Sequence, residues 1–139
     1  MTAWLLDTGP LVAFFDRSDR HHQWAVEQWA RAPIPLLTCE AVLAEATYLL
    51  HEHGGLSADK VLALFERGVI KARFQLEDHA GPVAELLRKY CDQGMQLADA
   101  CLVRMSELKR DTRVFTVDER DFNIYRRFER KVIPLIAPA

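Results

Sequence analysis

The sequence predicts an α/β fold, a parallel sheet with helices on both faces, formed as one domain spanning residues 1–139. Three observations predict it. Short apolar runs of strand length recur along the chain, and the segments between them carry helical spacing of apolar residues. The runs are continuously apolar rather than alternating, as in strands covered on both faces. No internal repeat, low-complexity stretch or linker interrupts the pattern.

The elements follow in order. Ala3 to Leu6 reads as a buried strand that meets a turn at Asp7-Thr8-Gly9-Pro10. Pro10 suits the first turn of a helix over about 10 to 16. His21 to Ala32 carries an amphipathic pattern through Trp24, Ala25 and Trp29; Trp24 and Trp29 could stack on bases, but the helical spacing favours core or dimer contacts. Pro33 to Leu37 gives a second strand, and Thr38 is placed to cap a long helix that Gly54-Gly55 stops. Ser57 is placed to cap the next helix, to about Arg67, and Val69 to Phe74 has strand character. Helices are expected from Asp78 to Cys91 and from Gln96 to Lys109, a strand from Arg113 to Val117, then a loop or short helix. Val132 to Leu135 is expected as the last strand.

The totals narrow the function classes. Half the residues are hydrophobic, 27% are charged and the net charge is −2, a globular profile that argues against coating nucleic acid by bulk charge. No apolar run approaches the roughly 20 residues that span a bilayer. The N-terminus lacks a basic region and meets Asp7 early, so the expected location is the cytoplasm. Cys39, Cys91 and Cys101 show no metal-binding spacing and read as buried free thiols.

Four carboxylates stand where a structural role explains them poorly. Asp7 and Asp118 each directly follow a predicted strand, and ligands of open α/β sheets bind beyond the carboxyl ends of strands. Glu45 sits on an apolar stripe with Ala41, Val42, Tyr48 and Leu49, and no cation lies one helical turn away to pair with it. Asp99 repeats this between Met95, Leu102 and Val103. Each acid alone could cap a helix or begin a turn. Together they suggest one site, and crowded carboxylates ionise together only with a cation present. Mg2+ or Mn2+ suits such oxygen donors and suits phosphodiester hydrolysis.

Leu5-Leu6-Asp7-Thr8-Gly9-Pro10-Leu11-Val12-Ala13 resembles the opening of PIN-domain nucleases. Cys39-Glu40-Ala41-Val42-Leu43-Ala44-Glu45 is similar to their helix with the second acid. Gln96-Leu97-Ala98-Asp99-Ala100 and Val114 to Phe122 are similar to the third and fourth motifs, and Asp16 to His21 to the loop after the first helix. In length and lack of added domains the chain resembles the VapC-type toxins of bacterial toxin–antitoxin pairs. The resemblance implies a sheet of order 3-2-1-4-5, Mg2+- or Mn2+-dependent endoribonuclease activity, a homodimer and a small antitoxin partner. It implies Asp7, Glu45, Asp99 and Asp118 as catalytic, metal-binding acids, Thr116 as a supporting hydroxyl and Asp121 as a further acid. Glu40 rivals Glu45 for the helix position, but helix-start stabilisation explains it.

Arg17, Arg20, Arg104 and Arg110 are the candidate RNA contacts, with Lys109, Arg113, Arg126, Arg127, Arg130 and Lys131 forming further basic stretches. The competing reading of all these cations is a solvated face. His51-Glu52-His53 has the wrong spacing for a shared metal. Three other functions are open. A haloacid-dehalogenase-type phosphatase would use Asp7 as nucleophile, although its usual second aspartate is replaced here by Gly9. A PIN-fold RNA-processing nuclease would have no antitoxin. A non-catalytic module would use the acids to bind a partner.

Overall fold

The computed structural model describes residues 1–139. Five short strands form a parallel sheet: β1 (Ala3–Leu6), β2 (Leu36–Leu37), β3 (Ile70–Lys71), β4 (Thr112–Phe115) and, last in the chain, β7 (Leu135–Ile136). Their order is β3-β2-β1-β4-β7. The expected order, 3-2-1-4-5, describes the same sheet except that the fifth sheet strand is the seventh in the chain. A two-stranded antiparallel hairpin, β5 (Arg126–Arg127) and β6 (Lys131–Val132), intervenes. Lys131 and Val132 therefore pair with Arg127 and Arg126, and the sheet strand begins three residues beyond the expected Val132, at Leu135.

Seven α-helices connect the strands: α1 (Thr8–Phe15), α2 (His22–Arg31), α3 (Glu40–Glu52), α4 (Asp59–Glu66), α5 (Ala80–Lys89), α6 (Leu97–Leu108) and α7 (Glu119–Ile124). None is long and apolar enough to cross a membrane. Consecutive residues Leu5 and Leu6 are both buried, as are Val114 and Phe115. Neighbouring strand residues point to opposite faces, so the centre of the sheet is covered on both. Trp24, Trp29 and Trp4 all pack edge-on against Phe115, which settles the tryptophans as core residues.

Two expected caps are displaced. The Thr38 hydroxyl donates to the Leu6 carbonyl at 2.9 Å, tying β2 to β1, and Cys39 takes the cap position of α3 without a side-chain bond. Likewise α4 begins after Ala58, with no side-chain cap from Ser57. Helix α1 starts two residues earlier than expected because Asp7 itself caps it, leaving Pro10 still within the first turn.

Candidate active site

Register builds the centre of the site. Strands β1 and β4 pair from Ala3 opposite Thr112 to Leu6 opposite Phe115, and the Asp7 N–H donates to the Phe115 carbonyl at 3.0 Å. The next residues, Asp7 and Thr116, therefore emerge side by side at the carboxyl edge of the two central strands. Asp7 is buried: Oδ1 accepts from the Thr8 N–H at 2.8 Å and Oδ2 from the Thr116 hydroxyl at 2.7 Å. Burial pushes its carboxyl up to about 7 against the pull of those two bonds, and the nearby Asp99 and Glu45 carboxylates push it further. The buried Thr8 hydroxyl beside it has no hydrogen-bond partner.

Asp99 sits in the first turn of α6, where Oδ2 accepts from the Gln96 N–H at 3.1 Å and from the Tyr125 hydroxyl at 3.3 Å. Burial holds its carboxyl above the usual range, the two bonds oppose this, and Asp118 and Glu45 add repulsion. Asp118 caps α7, accepting from the Asp121 N–H at 3.1 Å, while its own N–H donates to the Thr116 hydroxyl at 2.9 Å. Its carboxyl is also raised, first by burial and then by the Asp121 side chain, and Arg120 partly offsets this. Glu45 projects from α3, half-buried, and none of the three ion pairs in the chain involves it. Its charge is felt by both Asp7 and Asp99.

Asp7, Glu45, Asp99 and Asp118 are thus electrostatically joined, with Thr116 between two of them and Asp121 against the last. Three also perform the structural roles their positions allowed, since Asp7 and Asp118 cap helices and Asp99 completes a capping box with Gln96. No three acid, His or Cys side chains converge into a closed metal cage. The donors are all oxygen and repel one another, which fits a hard cation that keeps most of its waters and takes only one or two carboxylates directly. Glu40 is exposed at the start of α3, in keeping with a helix-start role.

None of the three ion pairs joins a candidate RNA-binding arginine to the four acids. Arg110 lies just before β4, at the opposite edge of the sheet, with its guanidinium over the Phe128 ring. Arg104 is engaged by the His79 ring at 3.2 Å and Glu107 at 3.2 Å. Arg17 and Arg20 are exposed but follow α1, whose eight residues carry the chain about 12 Å from Asp7. The loop around them has its own bonds: Asp16 accepts from the Ser18 N–H and hydroxyl, and Asp19 from the His21 N–H. Arg127 donates to the Ser106 and Arg110 carbonyls, so part of the C-terminal basic stretch is also structural.

Two site residues escape the sequence reading. Tyr125 is fully buried and bonds Asp99 from 26 residues away. Arg120 is the cation that acts on Asp118, and its place within the Asp118 to Phe122 motif was the signal available. Of the cysteines, Cys39 and Cys101 are buried as expected, whereas Cys91 is exposed.

A central parallel sheet with an acid cluster at the carboxyl edge of its two middle strands defines an α/β protein with a polyanionic site. The chain belongs to the PIN domain family, whose model matches residues 4–128. It is 28% identical over 123 residues to Ribonuclease VapC26 of Mycobacterium tuberculosis (strain ATCC 25618 / H37Rv), an alignment covering 88% of this chain and 91% of that protein. Its fold is similar to the crystal structure of Mycobacterium tuberculosis VapC20, described as a Sarcin-Ricin loop cleaving toxin, with a TM-score of 0.75 and 22% identity. That match covers 85% of this chain and 92% of the other. The phosphatase reading of Asp7 is set aside because the family is a different one.

Proposed function

We propose that the protein is an endoribonuclease of the toxin type that hydrolyses phosphodiester bonds in RNA with the help of Mg2+ or Mn2+. The observation that carries this reading is the Asp7 carboxyl, buried, pushed up to about 7 and facing the charges of Asp99 and Glu45. Such a group gains most from a cation, and the PIN family and the ribonuclease relative supply the substrate class. Asp7, Asp99, Asp118 and Glu45 would hold the ion. When bound, the ion supplies charge neutralisation at the scissile phosphate and a lowered pKa for a coordinated water.

The chain's own groups set the stage for that chemistry. Thr116 fixes one Asp7 oxygen and, through the Asp118 N–H, the start of α7. Tyr125 and the Gln96 N–H fix Asp99. The N-termini of α1 and α7 open directly after Asp7 and Asp118, and their partial positive charge favours an approaching phosphate. Arg120, beside Asp118, is the cation best placed to meet the substrate backbone. The chain is expected to act as a homodimer in the cytoplasm, restrained by a small cognate antitoxin.

The test is a manganese titration of the purified protein with a panel of fluorescent single-stranded RNA and DNA, alongside Asp99→Asn. Manganese-dependent RNA cleavage that disappears in the variant is the expected result. An unchanged rate in both Asp99→Asn and Asp7→Asn would overturn the assignment.

A further inference from the structure

Cys39 and Cys101 come from the two helices that carry Glu45 and Asp99. Cys39 is the residue from which α3 springs, and Cys101 lies in the second turn of α6. Both are free thiols, both are buried, both line one cavity, and the Cys101 side chain is the first cause that holds the Cys39 thiol up. Helices α3 and α6 pack together, so the contact joins elements 62 residues apart in sequence. The pair is also reachable. A cavity of about 440 Å3 has Cys39 and Cys101 in its wall together with Ala41, Ala44, Leu76 and Leu97. Leu76 and Leu97 are 38% and 42% exposed, so this cavity meets solvent on the side where α6 begins.

We propose that Cys39 and Cys101 form a redox-convertible dithiol, oxidised by small hydroperoxides to a disulfide that fastens α3 to α6. One sulfur attacks a peroxide oxygen, the O–O bond breaks, and a sulfenic acid forms with loss of water or alcohol. The second sulfur then attacks the first, the S–S bond forms, the S–O bond breaks, and water leaves with both thiol protons accounted for. The dithiol loses two electrons and the peroxide gains them. The buried walls favour this pairing over external partners, because a bulky thiol such as glutathione meets a cavity lined by side chains before it meets the sulfurs. Cys91 is exposed, and its sulfur donates to the neighbouring Asp92 carboxylate.

The test uses the Cys91→Ser protein, which leaves only the two buried thiols, treated with hydrogen peroxide under native conditions. The expected result is an intact mass lower by two hydrogens, a peptide linking residues 39 and 101 in a non-reducing digest, and recovery of two alkylatable thiols after dithiothreitol. In the Cys39→Ser, Cys91→Ser protein, Cys101 should stop at the sulfenic acid and be captured by dimedone. If that second variant fails to fold, the mass of Cys91→Ser decides alone. Two free thiols after treatment, a cross-link only between chains, or over-oxidation without a linked peptide would overturn the proposal.

Discussion

The Thr116 hydroxyl donates to Asp7 Oδ2 at 2.7 Å. The Thr116 hydroxyl oxygen in turn accepts from the Asp118 N–H at 2.9 Å, so one buried side chain holds two acids in a fixed relation. The register of β1 against β4 makes this possible, because it delivers residues 7 and 116 to the sheet edge as neighbours.

Thr116→Val keeps the shape and removes both bonds. The Asp7 carboxylate then loses its strongest opposition to burial, and the Asp118 N–H loses its acceptor. Leaving buried polar groups unpaired costs about 1–3 kcal/mol of folding stability. Denaturant unfolding of the variant should show that loss, and Thr116→Ser should recover most of it. Metal affinity or cleavage should fall about 10–100-fold in the valine variant, as for other partners that orient ligands.

Stability should decline as pH rises through the range set by Asp7. Its carboxyl titrates near 3.8 when unfolded and at about 7 when folded, so between those values the native state holds the extra proton. Folding is therefore favoured below the lower value and loses that contribution up to the higher one. The span corresponds to about 4 kcal/mol at most. In metal-free buffer, Asp7→Asn should be more stable than the wild type at pH 8 and nearly equal to it at pH 4. A difference that grew toward low pH would show that Asp7 is not raised. Added Mg2+ or Mn2+ should restore wild-type stability at pH 8, and below about pH 7 its binding should also release protons.

The sequence exposed most of this site because its acids violate ordinary patterns. Glu45 interrupts an apolar stripe and Asp7 directly follows β1, whereas Asp118, expected directly after a strand, lies three residues beyond the end of β4 because that strand stops at Phe115. The same reasoning could not find Tyr125, whose tie to Asp99 depends on where the chain turns after α7. That turn leads into the β5–β6 hairpin, where Phe128 and Glu129 adopt φ of 51° and 68°. Neither residue type announces positive φ, so the usual glycine or asparagine signal was missing and the last strand was placed too early. Thr38 was misread for another reason. Its hydroxyl had two possible partners, the N–H groups of a helix start, from which it would accept, or the carbonyl of a neighbouring strand, to which it donates, and only the packing of β2 on β1 decides between them.

Gly9 should tolerate no side chain. A Cβ there would fall well inside van der Waals contact of Val117 Cγ2, in the segment between Thr116 and Asp118. Gly9→Ala must push α1 away from that segment or displace it, and overpacking of this kind costs about 1–3 kcal/mol. The thermal midpoint should fall accordingly. The double variant with Val117→Ala, which clears the space, should regain more stability than either single change predicts.

Tyr125→Phe tests whether the bond to Asp99 positions the acid or merely fills space. The ring is fully buried and packs edge-on against Tyr90 and Phe122, contacts that phenylalanine preserves. Only the hydroxyl is lost, and with it one of the two bonds that pull the Asp99 carboxyl back toward its ordinary range. Asp99 should then bind protons more readily and hold a cation less firmly. Affinity for Mn2+, read by calorimetry, should weaken about 10–100-fold, the range seen when an outer partner of a ligand is removed. The loss should be larger at lower pH than at higher pH, because at the higher pH more of Asp99 is ionised even without the tyrosine. A loss equal at both pH values would mean that Tyr125 sets the orientation of Asp99 and leaves its protonation alone.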